Sequence, residues 1–160
     1  MIFPTIDPLA KLSIITLEGV PVTVTAQFNP KEVSVDKAVP WQPQKKKGVA
    51  DLEYTGGTPM TMGFELLFDG FELGMPVQGE IAKLHQMTAH MGDSGDQKRP
   101  PKVKVIWGPG LDSVNLPQFN AVVESVSVKY TMFSPDGLVL RATATLKLKE
   151  AADLKVGKPT

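Results

Sequence analysis

The residues of this chain most suited to chemistry are its two histidines, His85 and His90. Two acidic residues follow, Asp93 and Asp96, and imidazole with carboxylate is a common ligand set for a hydrolytic zinc site. The apolar spacing around the histidines predicts a helix over residues 76–91. Because helical residues five positions apart point about 140° away from each other, the two rings do not share a ligand easily. Two solvent-exposed histidines are therefore favoured over a metal-dependent hydrolase.

The remaining polar residues match no catalytic or cofactor motif. Asp69, Glu72 and Glu80 lack the spacing of a calcium loop, and Gly56-Gly57 is not followed by the lysine and helix start of a phosphate loop. Serines are present without a plausible triad, and the chain contains no cysteine. We therefore expect a protein that is not an enzyme and that uses no cofactor and no metal.

A short basic run, Lys45, Lys46 and Lys47, follows Trp41 in a stretch without apolar periodicity. The sequence predicts a long exposed loop over residues 37–59, in which Trp41 either anchors a partner or folds back onto the core. The formal net charge of the chain is zero, so the lysines indicate a solvated loop tip, with no nucleic-acid or membrane binding. The N-terminus lacks the pattern of a signal peptide, and we expect assembly in the cytoplasm.

The elements that must position these residues are mostly strands, and the clearest are the last two. Residues 119–130 and 139–150 alternate between apolar and polar side chains around a polar turn over residues 131–138. In the first strand the apolar face is interrupted by Glu124 and consists of Val122, Val126, Val128 and Tyr130. In the second it consists of Leu140, Ala142, Ala144, Leu146 and Leu148. The opposite, polar face would meet bulk water in a monomer, or a wet channel in a ring.

Further apolar alternation predicts strands over residues 9–17, 20–28, 33–35, 61–68 and 102–107. With one helix in the middle of this order, the pattern is typical of a mainly β fold: an antiparallel β-barrel or sandwich with one α-helix packed against it. A chain of 160 residues suits one such domain. We expect it over residues 1–150, followed by a tail over residues 151–160.

Several short segments recur together in one known family. They are Gln27-Phe28-Asn29-Pro30-Lys31-Glu32, Leu52-Glu53-Tyr54-Thr55-Gly56-Gly57-Thr58-Pro59, Phe64-Glu65-Leu66-Leu67-Phe68-Asp69, Pro100-Pro101-Lys102-Val103-Lys104-Val105-Ile106-Trp107-Gly108, Val123-Glu124-Ser125-Val126-Ser127-Val128-Lys129-Tyr130-Thr131-Met132-Phe133, and Pro135-Asp136-Gly137 followed by Arg141-Ala142. In this order they resemble the tube domain of contractile injection systems, over roughly residues 9–150.

The resemblance implies a structural protein that forms a hexameric ring of β-barrels, similar to inner-tube proteins of phage tails and of the type VI secretion tube. The implied partners are further copies of the chain, adjacent tube rings, and spike, hub and baseplate proteins of a particle that is released or ejected. Baseplate adaptors among the relatives often carry a LysM module, and this sequence shows none. A shaft subunit, a tube initiator and an adaptor all stay open.

On this hypothesis the ring closes by strand pairing between neighbours, and the polar face of the last two strands lines the lumen. The expected lumen residues are Ser125, Ser127, Lys129, Arg141, Thr143, Thr145 and Lys147. Contacts between subunits or between rings are expected at Trp41, Lys45, Lys46, Lys47, Tyr54, Phe133, Pro135 and Asp136. The alternative is a monomeric β-barrel that binds a small ligand or a protein partner in an enclosed apolar pocket between helix and sheet.

Overall fold

One large antiparallel sheet contains seven of the nine described strands. The computed structural model describes residues 10–46, 49–107, 116–117 and 119–151. In this part of the chain there is one α-helix, α1 (Gln78–Gln86), and the strands are β1 (Leu12–Thr16), β2 (Thr23–Thr25), β3 (Val33–Asp36), β4 (Trp41–Lys46), β5 (Val49–Tyr54), β6 (Thr61–Asp69), β7 (Val103–Trp107), β8 (Ala121–Phe133) and β9 (Val139–Glu150). Seven strands form the large sheet, in the order β2-β1-β7-β8-β9-β6-β3, and β4 pairs with β5 alone.

The large sheet folds over itself between β7 and β8. These strands share a single described residue pair, Val103 with Ala121, which are the first residues of β7 and β8. From this pair the two antiparallel strands extend in opposite directions. The result is two layers, β8-β9-β6-β3 and β2-β1-β7. The helix α1 contacts β2 and β8 and so covers the side between the layers. Of the two expected architectures, the chain therefore adopts a sandwich-like fold and not a closed barrel.

The core lies between the inner faces of the two layers. Alternate residues of β6 and β9 pair across the sheet and are buried, as the predicted alternation requires. The second layer and the helix supply the facing side chains. In the core as a whole, the largest fully buried side chains are Phe68, Leu12, Ile14, Leu66, Leu84, Met87, Leu146 and Leu148.

The alternation of β8 shifts at Glu124. Val123 pairs with Leu148 and Ser125 with Lys147, so that Glu124 has no partner in β9. This β-bulge puts Val123 on the inner face and moves Val122, which lies opposite Lys149, to the outer one. The prediction that Val122 shares a face with Val126, Val128 and Tyr130 is therefore wrong, because one extra residue reverses the order of the faces.

The helix is shorter than the apolar spacing predicts. It spans Gln78–Gln86, whereas the expected range was 76–91. Of the apolar stripe expected from the spacing, Val77, Ile81, Leu84 and Met87 are buried. The fifth member, Met91, lies beyond the helix and is only half-buried. The N–H of Val77 donates to the carbonyl of Val139 (3.0 Å), which fixes the start of α1 beside β9.

Two amide side chains hold the segment that crosses from β2 to β3. The predicted strand over residues 20–28 is regular only over Thr23–Thr25. Beyond it, Gln27 donates from Nε2 to the Asp69 carbonyl and accepts from the Asp69 N–H at Oε1, both at 2.7 Å. Asn29 makes the same kind of contact with β1, through Ala10 O (2.8 Å) and Leu12 N–H (3.0 Å). Each side-chain amide makes the two hydrogen bonds, one donated and one accepted, that a residue of a paired strand would make. The segment therefore joins the two layers without a continuous ladder of backbone hydrogen bonds.

The predicted loop over residues 37–59 is wrong in its centre, where the chain forms the hairpin β4–β5, here called the arm. Its register runs from Trp41 opposite Tyr54 to Lys46 opposite Val49. The arm lies between β3 and β6 in the chain, next to Asp36 and Thr61. We call this the arm end of the sheet. The other end of β6, at Asp69 and Arg141, is the turn end.

Candidate interaction surfaces

The expected lumen residues share the outer face of the β8-β9-β6-β3 layer. Ser125 lies opposite Lys147, Ser127 opposite Thr145, and Lys129 opposite Thr143. Arg141 lies on the same face, opposite Asp69 of β6. The period-two pattern thus places all seven on one surface.

Charge is divided unevenly across this outer face. The β8 and β9 half carries the cations Lys129, Arg141, Lys147 and Lys149, whereas the β3 and β6 half carries the anions Asp36, Glu65 and Asp69. Asp69 and Arg141 form a salt bridge (3.0 Å) where the halves meet at the turn end. A hydrogen bond from the Phe71 N–H, and then the Arg141 guanidinium, hold the pKa of the Asp69 carboxyl below its usual value.

An open groove of about 730 Å³ crosses the same outer face. It runs where residues 28–32 diverge from the edge of β6, and Phe28, Leu67, Lys31 and Lys147 are among the side chains that line it. The groove lies on the side of the sheet away from the core. The monomeric binding domain predicts instead an enclosed apolar pocket between helix and sheet, and this groove is not that pocket.

The outer edge of β8 has backbone groups without a strand partner. The N–H of Glu150 donates to Met60 O and that of Gly70 to Leu140 O, so even-numbered residues of β9 face β6. The odd-numbered ones then face β8, where their partners are Ser125, Ser127 and Lys129. The N–H and C=O groups of the intervening Val126, Val128 and Tyr130 therefore point away from β9. No strand among the described residues pairs with them.

The outer edge of β3 is open in the same way. Ser34 and Asp36 lie opposite Gly63 and Thr61, the odd-numbered residues of β6 that face β3. The backbone groups of Val33 and Val35 therefore point outward, and β3 ends the described sheet. Unpaired edges of this kind are templates for pairing with another chain.

The arm presents one apolar, exposed face. Residues directly opposite in a hairpin share a face, which puts Trp41 with Tyr54 and Pro43 with Leu52. The Trp41 and Tyr54 rings lie 5.6 Å apart, and both side chains are more than half exposed. Trp41 thus packs on a neighbour within the arm and not on the core. Lys45 and Lys46 belong to β4, and Lys47 lies outside the described residues.

The turn end carries a second exposed apolar surface, and only part of it was predicted from the sequence. The expected contact residues Phe133, Pro135 and Asp136 lie at the β8–β9 turn, where all three are exposed. Beside them, residues 71–75 form a turn whose large side chains are also exposed: Phe71, Leu73 and Met75. The sequence signal was available, because three large apolar residues alternate between Gly70 and Pro76 without room for a strand.

The histidines and their acidic neighbours do not assemble. His85 and His90 are both exposed, one in α1 and one after it. The described residues contain no group of three or more histidine or acidic side chains positioned to hold a metal ion. Within the same residues, no helix has the length and apolar character needed to cross a membrane.

Comparison with known proteins assigns the chain to a family. The family model of the contractile injection system tube protein matches residues 9–157, nearly the whole chain. A search of curated proteins found no match. Since the family match covers far more than half of the sequence, this chain belongs to the family of contractile injection system tube proteins.

Proposed function

We propose that six copies of this chain close into a ring that forms a layer of the inner tube, or the adaptor ring that joins the tube to spike and baseplate. The observation that carries the proposal is the pair of open edges on one four-stranded layer, β8 at one side and β3 at the other. When β8 of one copy pairs with β3 of the next, the backbone groups of both edges gain partners. In a closed ring every β8 edge and every β3 edge is paired in this way.

Strand direction supports this pairing. The layer β8-β9-β6-β3 has an even number of strands, all antiparallel to their neighbours. When a second copy is placed beside it in the same orientation, its β8 runs antiparallel to the first copy's β3. The alternation therefore continues from copy to copy, which is a condition for a closed ring of identical subunits.

Both faces of the layer are complementary across this contact. On the inner face, Val126 and Val128 of β8 are half-buried and would meet Val33 and Val35 of β3, which are half-buried as well. On the outer face, the cationic half of one copy would lie beside the anionic half of the next. Opposite charges on adjoining strands favour this register over one that joins like edges.

The outer face would then line the lumen. Its centre carries small hydroxyl side chains, Ser125, Ser127, Thr143 and Thr145, with charged residues of both signs around them. Such a wall is wetted, and its exposed large apolar side chains, Phe28 and Leu67, lie in the groove beside β6. The role is structural, in a particle that is assembled in the cytoplasm and then released or ejected.

Proline substitution at the two edges tests the ring. In Val128→Pro and in Val35→Pro the lost N–H faces the open edge, so the chain keeps its own ladder bonds. Each variant alone is expected to stay monomeric by mass photometry, while the unmodified protein forms rings. Mixing the two variants restores one intact β8–β3 pair and should give dimers and nothing larger.

Ser127→Pro is the matched control, because its N–H faces β9. That substitution removes a ladder bond inside the subunit and should cost roughly 1–3 kcal/mol of unfolding free energy. Rings formed by Val128→Pro, or a mixture that yields no dimers while both variants remain folded by circular dichroism, would contradict the proposal.

A further inference from the structure

The turn over residues 71–75 is an apolar surface presented without cover. Leu73 is 76% exposed, Met75 60% and Phe71 56%. Phe133 and Leu138 at the neighbouring β8–β9 turn are 58% and 48% exposed. Clustered apolar exposure of this kind marks an interaction site, whereas single exposed apolar residues are ordinary. We call these five residues the turn-end patch.

The turn-end patch is held in a fixed position. The N–H of Gly70 donates to Leu140 O (2.8 Å) and that of Val77 to Val139 O (3.0 Å), which ties both ends of the turn to β9. Inside the turn, the Met75 N–H donates to Gly70 O (3.0 Å). Because backbone hydrogen bonds already hold the turn in one conformation, little conformational entropy of the turn is lost when a partner docks there.

The arm is the matching surface at the opposite end of the molecule. Leu52 is 64% exposed, Trp41 55% and Tyr54 54%, all on one face of the hairpin. The arm and the turn-end patch lie beyond opposite ends of β6, whose nine residues span roughly 27 Å. Each surface therefore remains exposed within a single copy, and another molecule is needed to cover it.

We infer that the arm of one copy docks its Trp41, Leu52 and Tyr54 face on the turn-end patch of a second copy. This inference rests on the proposed ring. Side-by-side pairing of strands sets every subunit in the same orientation, with arms on one rim and turn-end patches on the other. Two rings stacked in the same sense then bring arm to patch in a head-to-tail contact, which is heterologous and repeats from layer to layer.

Disulfide trapping tests the contact directly, because the chain has no native cysteine. Leu52→Cys protein labelled uniformly with ¹⁵N and unlabelled Leu73→Cys protein are mixed, assembled and oxidised, so that the heterodimer and the two homodimers differ in mass. Heterodimers are expected to exceed either homodimer several-fold. The control partner for Leu52→Cys is Val20→Cys, in the exposed turn between β1 and β2, and it should give only background cross-linking.

The apolar character of the contact is tested in the same assay. Trp41→Ala in the Leu52→Cys protein should lower the heterodimer yield several-fold. Gln42→Ala, on the opposite face of β4, should leave the yield unchanged. Predominant Leu52→Cys homodimers would overturn the head-to-tail arrangement in favour of an arm-to-arm one.

Electron microscopy of the same samples separates the contact from the ring. Rings without heterodimers overturn the docking and leave the proposed function standing. Heterodimers without rings support the docking and contradict lateral closure. Absence of both overturns the inferred contact as well as the ring.

Discussion

At the scale of single residues, a salt bridge between Glu18 and Arg99 joins the β1–β2 turn to the segment that follows α1. The Glu18 Oε2 and Arg99 Nη2 atoms are 2.7 Å apart, and both side chains are mostly shielded from water. The hydrogen bond from Arg99 is the main cause that lowers the pKa of the Glu18 carboxyl from its ordinary value of 4.5. The folded state therefore favours ionised Glu18.

This pair makes stability depend on acidity in a defined direction. Because the pKa of Glu18 is lower in the folded chain, its contribution is present above pH 4.5 and is lost as the pH falls through the folded value. Glu18→Gln should lower the unfolding free energy by about 1 kcal/mol near neutral pH. In urea denaturation series, the gap between variant and unmodified protein should shrink below pH 4.5. A gap that stays constant into acid, or an equal loss in the exposed control Glu72→Gln, would contradict the assignment.

The face of the sheet on which a side chain lies was predictable from the sequence only where the alternation within a single strand determines it. The alternation of β9 fixes Thr143, Thr145 and Lys147 on the outer face without knowledge of the fold, because successive side chains of a strand point to opposite sides. The bulge at Glu124 depends on the register with β9, which one strand alone does not encode. The Trp41–Tyr54 contact depends in the same way on the register of the arm.

At the scale of elements, the turn over residues 71–75 depends on the absence of a side chain at Gly70. A Cβ atom at Gly70 would lie 1.9 Å from the Met75 carbonyl oxygen, so this close approach of backbone to backbone requires glycine. Gly79, at the start of α1, has open space around the same position.

The two glycines should respond oppositely to the same change. Gly70→Ala is expected to lower the unfolding free energy by about 2–3 kcal/mol, because the turn must move off its hydrogen-bonded frame. Gly79→Ala should be neutral or stabilising, by up to about 1 kcal/mol, since alanine favours helix. Thermal unfolding of both variants measures the difference. Equal effects would mean that the turn tolerates a side chain at Gly70.

The arm is the element that the sequence pattern did not predict. Pro43 and the lysine run argue against a strand, yet a two-stranded hairpin has only edge strands, where proline is tolerated. The signal was a symmetry: Trp41 and Pro43 lie as far before Lys47-Gly48 as Tyr54 and Leu52 lie after it.

At the scale of the whole molecule, the uneven charge of the outer face predicts how assembly responds to salt. Lateral contacts that bring cationic strands beside anionic ones should weaken as ionic strength screens them. Raising salt from about 0.1 M to about 1 M, over which the Debye length falls roughly threefold, should shift mass-photometry distributions from rings toward monomers. Lys129→Gln combined with Lys147→Gln should flatten this dependence. Rings that strengthen with salt in both proteins would contradict a charge-assisted lateral contact.

The mainly β class with one helix follows from the sequence, because strand alternation and a helical stripe are local patterns. The choice of sandwich over barrel does not. It depends on β7 and β8 parting after Val103 and Ala121, and on the packing of α1 against β2 and β8. Such an arrangement is determined by packing between segments that are distant in the sequence, and the local patterns of apolar residues carry no information about that packing.

The nine consecutive pairs between β6 and β9 have a mechanical consequence. The two antiparallel strands both extend between the arm end and the turn end, so a push applied between those ends acts along the strands and perpendicular to their hydrogen bonds. The bonds are then loaded in shear, all together, and do not open one after another like a zipper. A tube built from subunits in this orientation would be stiffest along the direction in which it is driven.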